Sequence, residues 1–467
     1  MTDVWQLAEE VNLRPEAFGG MAFQRERGVT LEVDAEAYHF LCTYLAPRPL
    51  PPPDHPAARL VPQLVHLGFL CPAIRPPRSP RPRRSPDALW SGDGFTLSAP
   101  ETVHLAITAR CNLACPGCYV PRSGAGPELT TAELRGLIDQ WAKMRVFQLA
   151  VGGGEPLLRD DLFEVLAYAR QQGIVPNLTT NGTLLTPEMV HRLEEAGVGQ
   201  VNVSVNGPTA NGYGDGRTAT ALRALRLLLS SSLAVGVNLL VTPALLPSLP
   251  HILGRLHALG VRQVTVLRPK PGCDPTWYAA NRLRCQDLVH LREILAAWQG
   301  PVLSEVEGPL HLEVDSALVC LMGDVRPGLL RRRAVHGCAA GRRICTVWPD
   351  GRVTPCSFLP QLNAGNAREK PFALIWREGR GWEGLRDPSA LPGGPCRGCS
   401  ISHLCGGARC LAWHEQGNLS AGDTECPRFD CGVEQKRTRL TWKGGLDKLW
   451  QPLRSRNRTT VTGTNSR

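Results

Sequence analysis

The chain is predicted to be an α/β protein whose centre is a partial (β/α)6 barrel of the TIM type, and three observations carry that expectation. Between Glu101 and Arg268 short apolar, β-branched runs alternate six times with helical patterns. Repeated βα units imply parallel strands joined by right-handed crossovers. Six units are too few to close an eight-stranded barrel, so the sheet is expected to stay open. The clusters that could do chemistry all fall directly behind strand runs, at the edge where parallel barrels gather their sites. Beyond the barrel, eight cysteines recur in a separate Cys-rich extension.

The elements follow in order. Residues 1–74 form a first unit, with Gly20–Arg25 and Val29–Val33 reading as two strands around a Gly-containing turn. Asp34 is placed to cap a helix over Ala35–Leu45, and a Pro-rich turn leads to a second helix near Ala57–Leu67. Residues 75–100 read as a linker, opened by the Pro/Arg run Arg75–Arg84. The core over 101–310 holds expected strands at Val103–Thr108, Val146–Val151, Val175–Thr180, Gln200–Val205, Val235–Val241 and Gln263–Leu267. Its first helix is the clearest, because Thr130 and Glu133 can form a capping box ahead of the apolar face Leu134, Leu137, Ile138, Trp141 and Met144. The Cys-rich extension spans 311–435, and a basic tail runs over 436–467.

Composition narrows the function classes. A hydrophobic content of 43% in 467 residues supports packed cores rather than disorder. The first ten residues lack the basic and apolar regions of a signal peptide, and the stretch Leu225–Leu249 is broken by serines, Asn238 and prolines. A cytoplasmic, non-membrane protein is expected. In a reducing compartment 17 cysteines point to metal ligation rather than disulfides. The net charge of +10 sits largely in the Arg75–Arg84 run and the tail, without the aromatic-interleaved basic surface of a nucleic-acid binder.

The most informative stretch is Cys111-Asn-Leu-Ala-Cys115-Pro-Gly-Cys118-Tyr119, directly behind the first strand. Three thiolates on one short loop can hold three irons of a cubane cluster and leave the fourth iron open, as at a catalytic metal. The competing reading is a structural zinc loop. Gly152-Gly-Gly-Glu155-Pro156 follows the second strand, and glycine there allows close backbone approach to a ligand. Together these motifs resemble the radical S-adenosylmethionine (SAM) enzymes. The resemblance implies a [4Fe–4S] cluster on Cys111, Cys115 and Cys118, with SAM chelated at the free iron and cleaved to a 5′-deoxyadenosyl radical that abstracts hydrogen from substrate. It implies SAM contacts from Tyr119, Gly153, Gly154 and Glu155. Asn181, behind the third strand, and Ser204, in the fourth, resemble positions that meet the ribose and carboxylate of SAM. Two residues depart from the pattern: Gly117 stands where an aromatic is usual, and Asn206 where many relatives carry Asp.

The later cysteines run C-x12-G-x4-C at Cys338, Gly351 and Cys356, then C-x2-C-x5-C-x4-C from Cys396 through Cys399 and Cys405 to Cys410, then Cys426 before Pro427. C-x2-C pairs are common zinc ligands, so two zinc sites are the alternative. In this order behind the first loop, the pattern resembles the SPASM extension. The resemblance implies two auxiliary [4Fe–4S] clusters, one on Cys338, Cys345, Cys356 and Cys410, the other on Cys396, Cys399, Cys405 and Cys426. The spacing from Cys405 to Cys410 is one residue longer than usual, which leaves Cys431 as a substitute for Cys410. Cys42 and Cys71 read as small core residues, and Cys273, Cys285 and Cys320 are unassigned.

Leu13–Gln24 followed by Leu31–Tyr38 resembles the PqqD-like peptide-recognition domains, small winged-helix folds that bind a leader peptide as an added strand. All three parts together resemble maturases of ribosomally synthesised peptides, such as those of pyrroloquinoline quinone and mycofactocin. The expected partners are a precursor peptide and a small redox protein as electron donor. Two alternatives stay open: a haem-pathway tetrapyrrole enzyme, suggested by Cys405-Gly-Gly-Ala-Arg409, and a non-catalytic iron–sulfur carrier or scaffold. Gly153-Gly-Glu-Pro156 speaks against the carrier, which has no need to hold SAM.

Overall fold

A computed structural model describes residues 4–73, 95–121, 126–205, 216–298, 310–321, 337–387, 393, 396–428 and 459–461. The Arg75–Arg84 run, Asn206, Cys431 and most of the basic tail lie outside the described residues. The chain divides into two compact units, residues 1–99 with 326–335 and 447–467, and residues 100–325 with 336–446.

In the first unit, β1 (Val4–Leu7) is followed by an antiparallel meander, β2 (Val11–Glu16), β3 (Gly19–Gln24) and β4 (Val29–Asp34). The meander has three strands where sequence suggested two. Pro15 hid the third, since proline demotes a strand pattern, and β2 tolerates it because it lies at a sheet edge. Asp34 caps α1 (Ala35–Thr43) through Ala37 N at 2.9 Å. Gly20 lets the helix settle: a Cβ there would meet the Tyr38 ring at 2.0 Å. The second helix is broken into a 3-10 turn at Pro56–Leu60 and α2 (Val61–His66), because Pro62 restarts it. β5 (Arg48–Pro49) and β6 (Leu70–Pro72) flank β1 in a small second sheet.

The second unit is built on parallel strands. β7 (Thr102–Thr108), α3 (Thr131–Lys143), β8 (Gln148–Gly153), α4 (Leu162–Gln171), β9 (Val175–Thr180), α5 (Pro187–Glu195) and β10 (Gln200–Val205) alternate in order. α6 (Gly216–Leu229), β11 (Ala234–Leu240), α7 (Leu249–Ala258) and β12 (Gln263–Leu267) continue the pattern. The capping box of Thr130 and Glu133 is present, and Leu134, Leu137, Ile138 and Trp141 are buried. β8 starts two residues later than expected, after Arg145 takes a left-handed φ of 57°.

Six strands were expected, and the sheet is larger. After α8 (Pro275–Asn281) and α9 (Cys285–Trp298), β13 (His311–Val314) pairs parallel with β12. At the other edge β14 (Ile344–Val347), from within the Cys-rich extension, pairs parallel with β7. β15 (Arg352–Thr354) and β16 (Gly365–Asn366) add antiparallel, giving ten strands in the order β13-β12-β11-β10-β9-β8-β7-β14-β15-β16. β13 was illegible because only four residues pair, and β14 because its run carries Cys345 amid the ligand pattern. α10 (Phe372–Glu378) packs Phe372 on Trp141 of α3 at 5.6 Å between ring centroids. Finally β17 (Thr459–Val461) pairs parallel with β4, in the first unit.

Candidate active site

The loop after β7 carries Cys111 exposed and Cys115 and Cys118 half-buried. Its start is fastened where β7 ends: Glu128 accepts hydrogen bonds from Thr108 Oγ1 at 2.7 Å and Ala109 N at 2.8 Å. Arg159 donates to the carbonyls of Ile107 and Leu129 at 2.9 and 2.7 Å. Neither residue was marked by a sequence motif.

The glycine turn after β8 lies directly against this loop. Gly154 N donates to Thr108 O and Glu155 N to Arg110 O, both at 2.8 Å. A Cβ at Gly154 would come within 2.0 Å of Arg110 O, and Gly153 holds φ at 114°. Both positions therefore require glycine. Gly117, the departure from the aromatic pattern, has φ 69°, and a Cβ there would run into the Trp277 ring at 2.1 Å. An indole from α8 thus covers the loop at that glycine. Gly272 and Cys273 press on the same loop, with Cys273 N donating to Cys118 O at 2.9 Å.

Glu155 is fully buried. Its carboxylate accepts from Thr180 Oγ1 at 2.8 Å, Asn181 N at 2.8 Å and Leu157 N at 3.1 Å. Burial pushes its pKa up, and these hydrogen bonds only partly offset the rise. A carboxylate has about four lone-pair sites, so roughly one is left for a ligand cation. Asn181 in turn donates to Asn112 Oδ1 at 2.9 Å, and Asn112 donates to Thr183 Oγ1 at 2.7 Å. The cysteine loop, the glycine turn and the end of β9 are therefore one hydrogen-bonded body. Ser204 lies half-buried on β10, opposite Asn238 of β11. The Tyr119 phenol is pushed up to about 12 by burial, with Cys118 adding to the rise. Its ring packs on Phe358, two residues beyond Cys356.

The C-terminal cysteines gather in two sets. Cys356 is half-buried, with Cys410 and Cys338 as electrostatic neighbours, and desolvation holds its thiol well above the ordinary range. Cys410 is pushed up to about 12 by burial, with Lys270 opposing and Cys338 reinforcing the rise. The second set brings together Cys396, Cys405 and Cys426, which are electrostatic neighbours of one another, with Cys399 beside Cys396. Cys345 sits fully buried on β14 opposite Val103, with Arg386 as its charged neighbour, whereas Cys338, Cys356 and Cys410 are electrostatic neighbours of one another. Cys320, unassigned by spacing, lies beside Cys426 and its thiol donates to it, which lowers the Cys426 pKa. Cys285 is disulfide-bonded, a departure from the expectation of reduced thiols.

These donors suit iron–sulfur clusters. Burial raises the pKa of the Cys356, Cys396, Cys405 and Cys410 thiols, which therefore shed their protons only to a strong Lewis acid such as the irons of a cluster.

Two buried ion pairs stand between the barrel and the cluster sets. Lys270, just beyond β12, pairs with Asp315 at 2.6 Å. Burial opposes its charge, but Asp315 and Cys410 outweigh burial and raise its pKa. Arg268 pairs with Asp423. His104, on β7, is pushed down to about 4 by burial, with Lys270 adding to the effect, and is neutral at physiological pH.

Comparison with known proteins agrees with this geometry. Residues 105–264 match the radical SAM superfamily, and residues 338–400 match the SPASM iron–sulfur cluster-binding domain. The AdoMet-dependent heme synthase of Methanosarcina barkeri is 29% identical over 351 residues, covering 70% of this chain and 97% of that protein. The PqqA peptide cyclase of Granulibacter bethesdensis is 28% identical, covering 71% and 88%. In fold, the chain is similar to Streptococcus suis SuiB, solved bound to S-adenosylmethionine and to its precursor peptide SuiA. The TM-scores are 0.66 and 0.64 at 15% and 17% identity, over 90% of this chain and 99% of SuiB. The cysteine loop and the glycine turn bonded to it thus lie in a radical SAM domain over residues 105–264, and the chain carries a SPASM domain over residues 338–400.

Proposed function

We propose that the enzyme is a maturase that modifies a ribosomally synthesised peptide. The observation that carries this reading over a tetrapyrrole substrate is the charge of the barrel wall. Strands β7 to β13 contain no Lys or Arg. The side of the sheet turned away from the helices bears amides and hydroxyls, such as Gln148, Asn177, Thr179, Asn202, Ser204, Asn238 and Thr265. Lys270, at the rim, is already paired with Asp315. A haem precursor with several carboxylates needs cations that this wall lacks, whereas a peptide backbone finds donors and acceptors along it.

The cofactors supply reductive cleavage of SAM and hydrogen abstraction from the substrate. Around them, Cys111, Cys115 and Cys118 hold the reactive cluster, and Glu155 with Gly153 and Gly154 orients the SAM amino end. Tyr119, Asn181 and Ser204 complete the SAM contacts. Cys338, Cys356 and Cys410 serve the first auxiliary cluster, and Cys396, Cys399, Cys405 and Cys426 the second. Residues 1–74 act as a winged-helix-like recognition domain for the leader, joined by the 75–100 linker to the catalytic core (101–310) and SPASM domain (311–435). The enzyme works in the cytoplasm and takes its electron from a small redox protein. In support, among the described residues no helix is long and apolar enough to cross a membrane.

The tetrapyrrole reading keeps one supporting observation, the heme synthase relative matched over nearly its full length. A direct test is anaerobic incubation of reconstituted enzyme, SAM and dithionite with a short peptide encoded beside the gene. A mass change in the peptide core with SAM consumption is expected. Turnover of a polycarboxylate tetrapyrrole, with the peptide untouched, would overturn the maturase reading.

A further inference from the structure

The outer edge of the N-terminal meander is occupied by the chain itself. β17 runs parallel to β4 with Thr459 opposite Leu31, Thr460 opposite Glu32 and Val461 opposite Val33, so the sheet reads β17-β4-β3-β2. An edge strand presents a row of unpaired N–H and C=O groups, which makes it a template for any extended segment that reaches it. β4 itself is held in fixed register on β3, because Leu31 and Val33 are sunk in the core, so the edge it offers is a rigid template. The donor segment suits the role. Thr459-Thr-Val-Thr462 is a run of four β-branched residues, and such residues fit a pleated surface best. Arg454, Arg456 and Arg458 precede it, opposite in sign to Glu32 on the acceptor strand.

We propose that the β4 edge is a strand-accepting peptide site and that Thr459–Val461 holds it in cis, as a latch that an incoming extended peptide must displace. The identity of the incoming peptide rests on the maturase reading, whereas the latch rests on the pairing alone. Three paired residues form a weak ladder, yet tethering gives the tail an effective concentration that can reach the millimolar range. A peptide in trans therefore binds the intact chain more weakly than its intrinsic affinity for the edge, by the factor that tethering confers. The segment best suited to win is extended, β-branched and basic-flanked, entering parallel to β4.

The test uses the full reconstituted chain, a chain ending at Arg458, and the intact chain with Thr460→Pro. Proline cannot donate to a ladder, so this variant removes pairing without shortening the tail. The probe is a labelled synthetic peptide of residues 454–467. Both variants should bind it at least about tenfold more tightly than the intact chain. Those backbone amides of Leu31–Val33 that point to β17 should exchange with deuterium about tenfold faster in both variants, and saturating peptide should restore protection. Equal binding by all three proteins, or equal exchange at Leu31–Val33, would overturn the latch. A chain that shows competition and protection but modifies no precursor peptide supports the latch and removes only the maturase reading.

Discussion

The ring of Tyr119 packs against Phe358 with centroids 5.1 Å apart, so the loop of Cys111, Cys115 and Cys118 is braced by the loop that follows Cys356. Lys270 lies over the other partner, 4.9 Å from the Phe358 centroid. Replacing Phe358 by Ala should therefore loosen both loops. With a half-buried ring the expected cost is about 1–3 kcal/mol, below that of a fully buried phenylalanine. Melting curves should shift down by several degrees, and the three-cysteine cluster should be lost faster on exposure to air. An unchanged melting point with unchanged cluster lifetime would show that the contact carries no support.

Removal of the loop thiols tests the reactive cluster. The Cys111→Ala, Cys115→Ala, Cys118→Ala variant should keep its circular dichroism spectrum, because the loop lies outside the hydrophobic core. Its iron should fall from about twelve to about eight per chain, and 5′-deoxyadenosine formation should cease. Zinc at two per chain with iron near four in the intact protein would replace the auxiliary clusters by zinc sites.

Cys345 and Cys338 should behave oppositely. Cys345 is a core side chain of β14, so Cys345→Ala should cost about 1 kcal/mol of stability and leave the iron content unchanged. Cys338→Ala should lose about four irons with its fold retained. Iron loss from Cys345→Ala would return that residue to the first auxiliary set.

Glu155 gives a pH signature. Its carboxyl is raised above the usual Glu range by burial, so the folded state binds that proton better than the unfolded state does. Stability then falls as pH rises from the ordinary Glu value through the raised one. Glu155→Gln should abolish that slope in denaturant titrations across the window. SAM affinity, measured by calorimetry, should run the other way in the native protein, weakening as pH drops through the raised value because the neutral acid cannot pair with an ammonium. Affinity independent of pH would remove Glu155 from the SAM amino site.

Residues close in sequence determined the reactive centre. Cys111, Cys115 and Cys118 lie within eight residues, and the glycine turn and capping box are equally local, so spacing and conformational preference alone placed them behind β7 and β8 and ahead of α3. Strand alternation likewise determined six parallel strands, because period and length survive without knowledge of partners. Tertiary pairing decided the rest. Cys345 is buried because β14 pairs with β7, a partner more than two hundred residues away, and a strand buried there places its thiol in the core. Cys320 moved beside Cys426 through the same long-range packing, which spacing cannot express. Trp277 covers Gly117 from α8, supplying from a distant helix a ring that the local motif lacks. Local motifs name the atoms that can do chemistry; which of them meet is decided by contacts between strands far apart in the chain, whose free energy depends on burial in three dimensions and leaves no local trace.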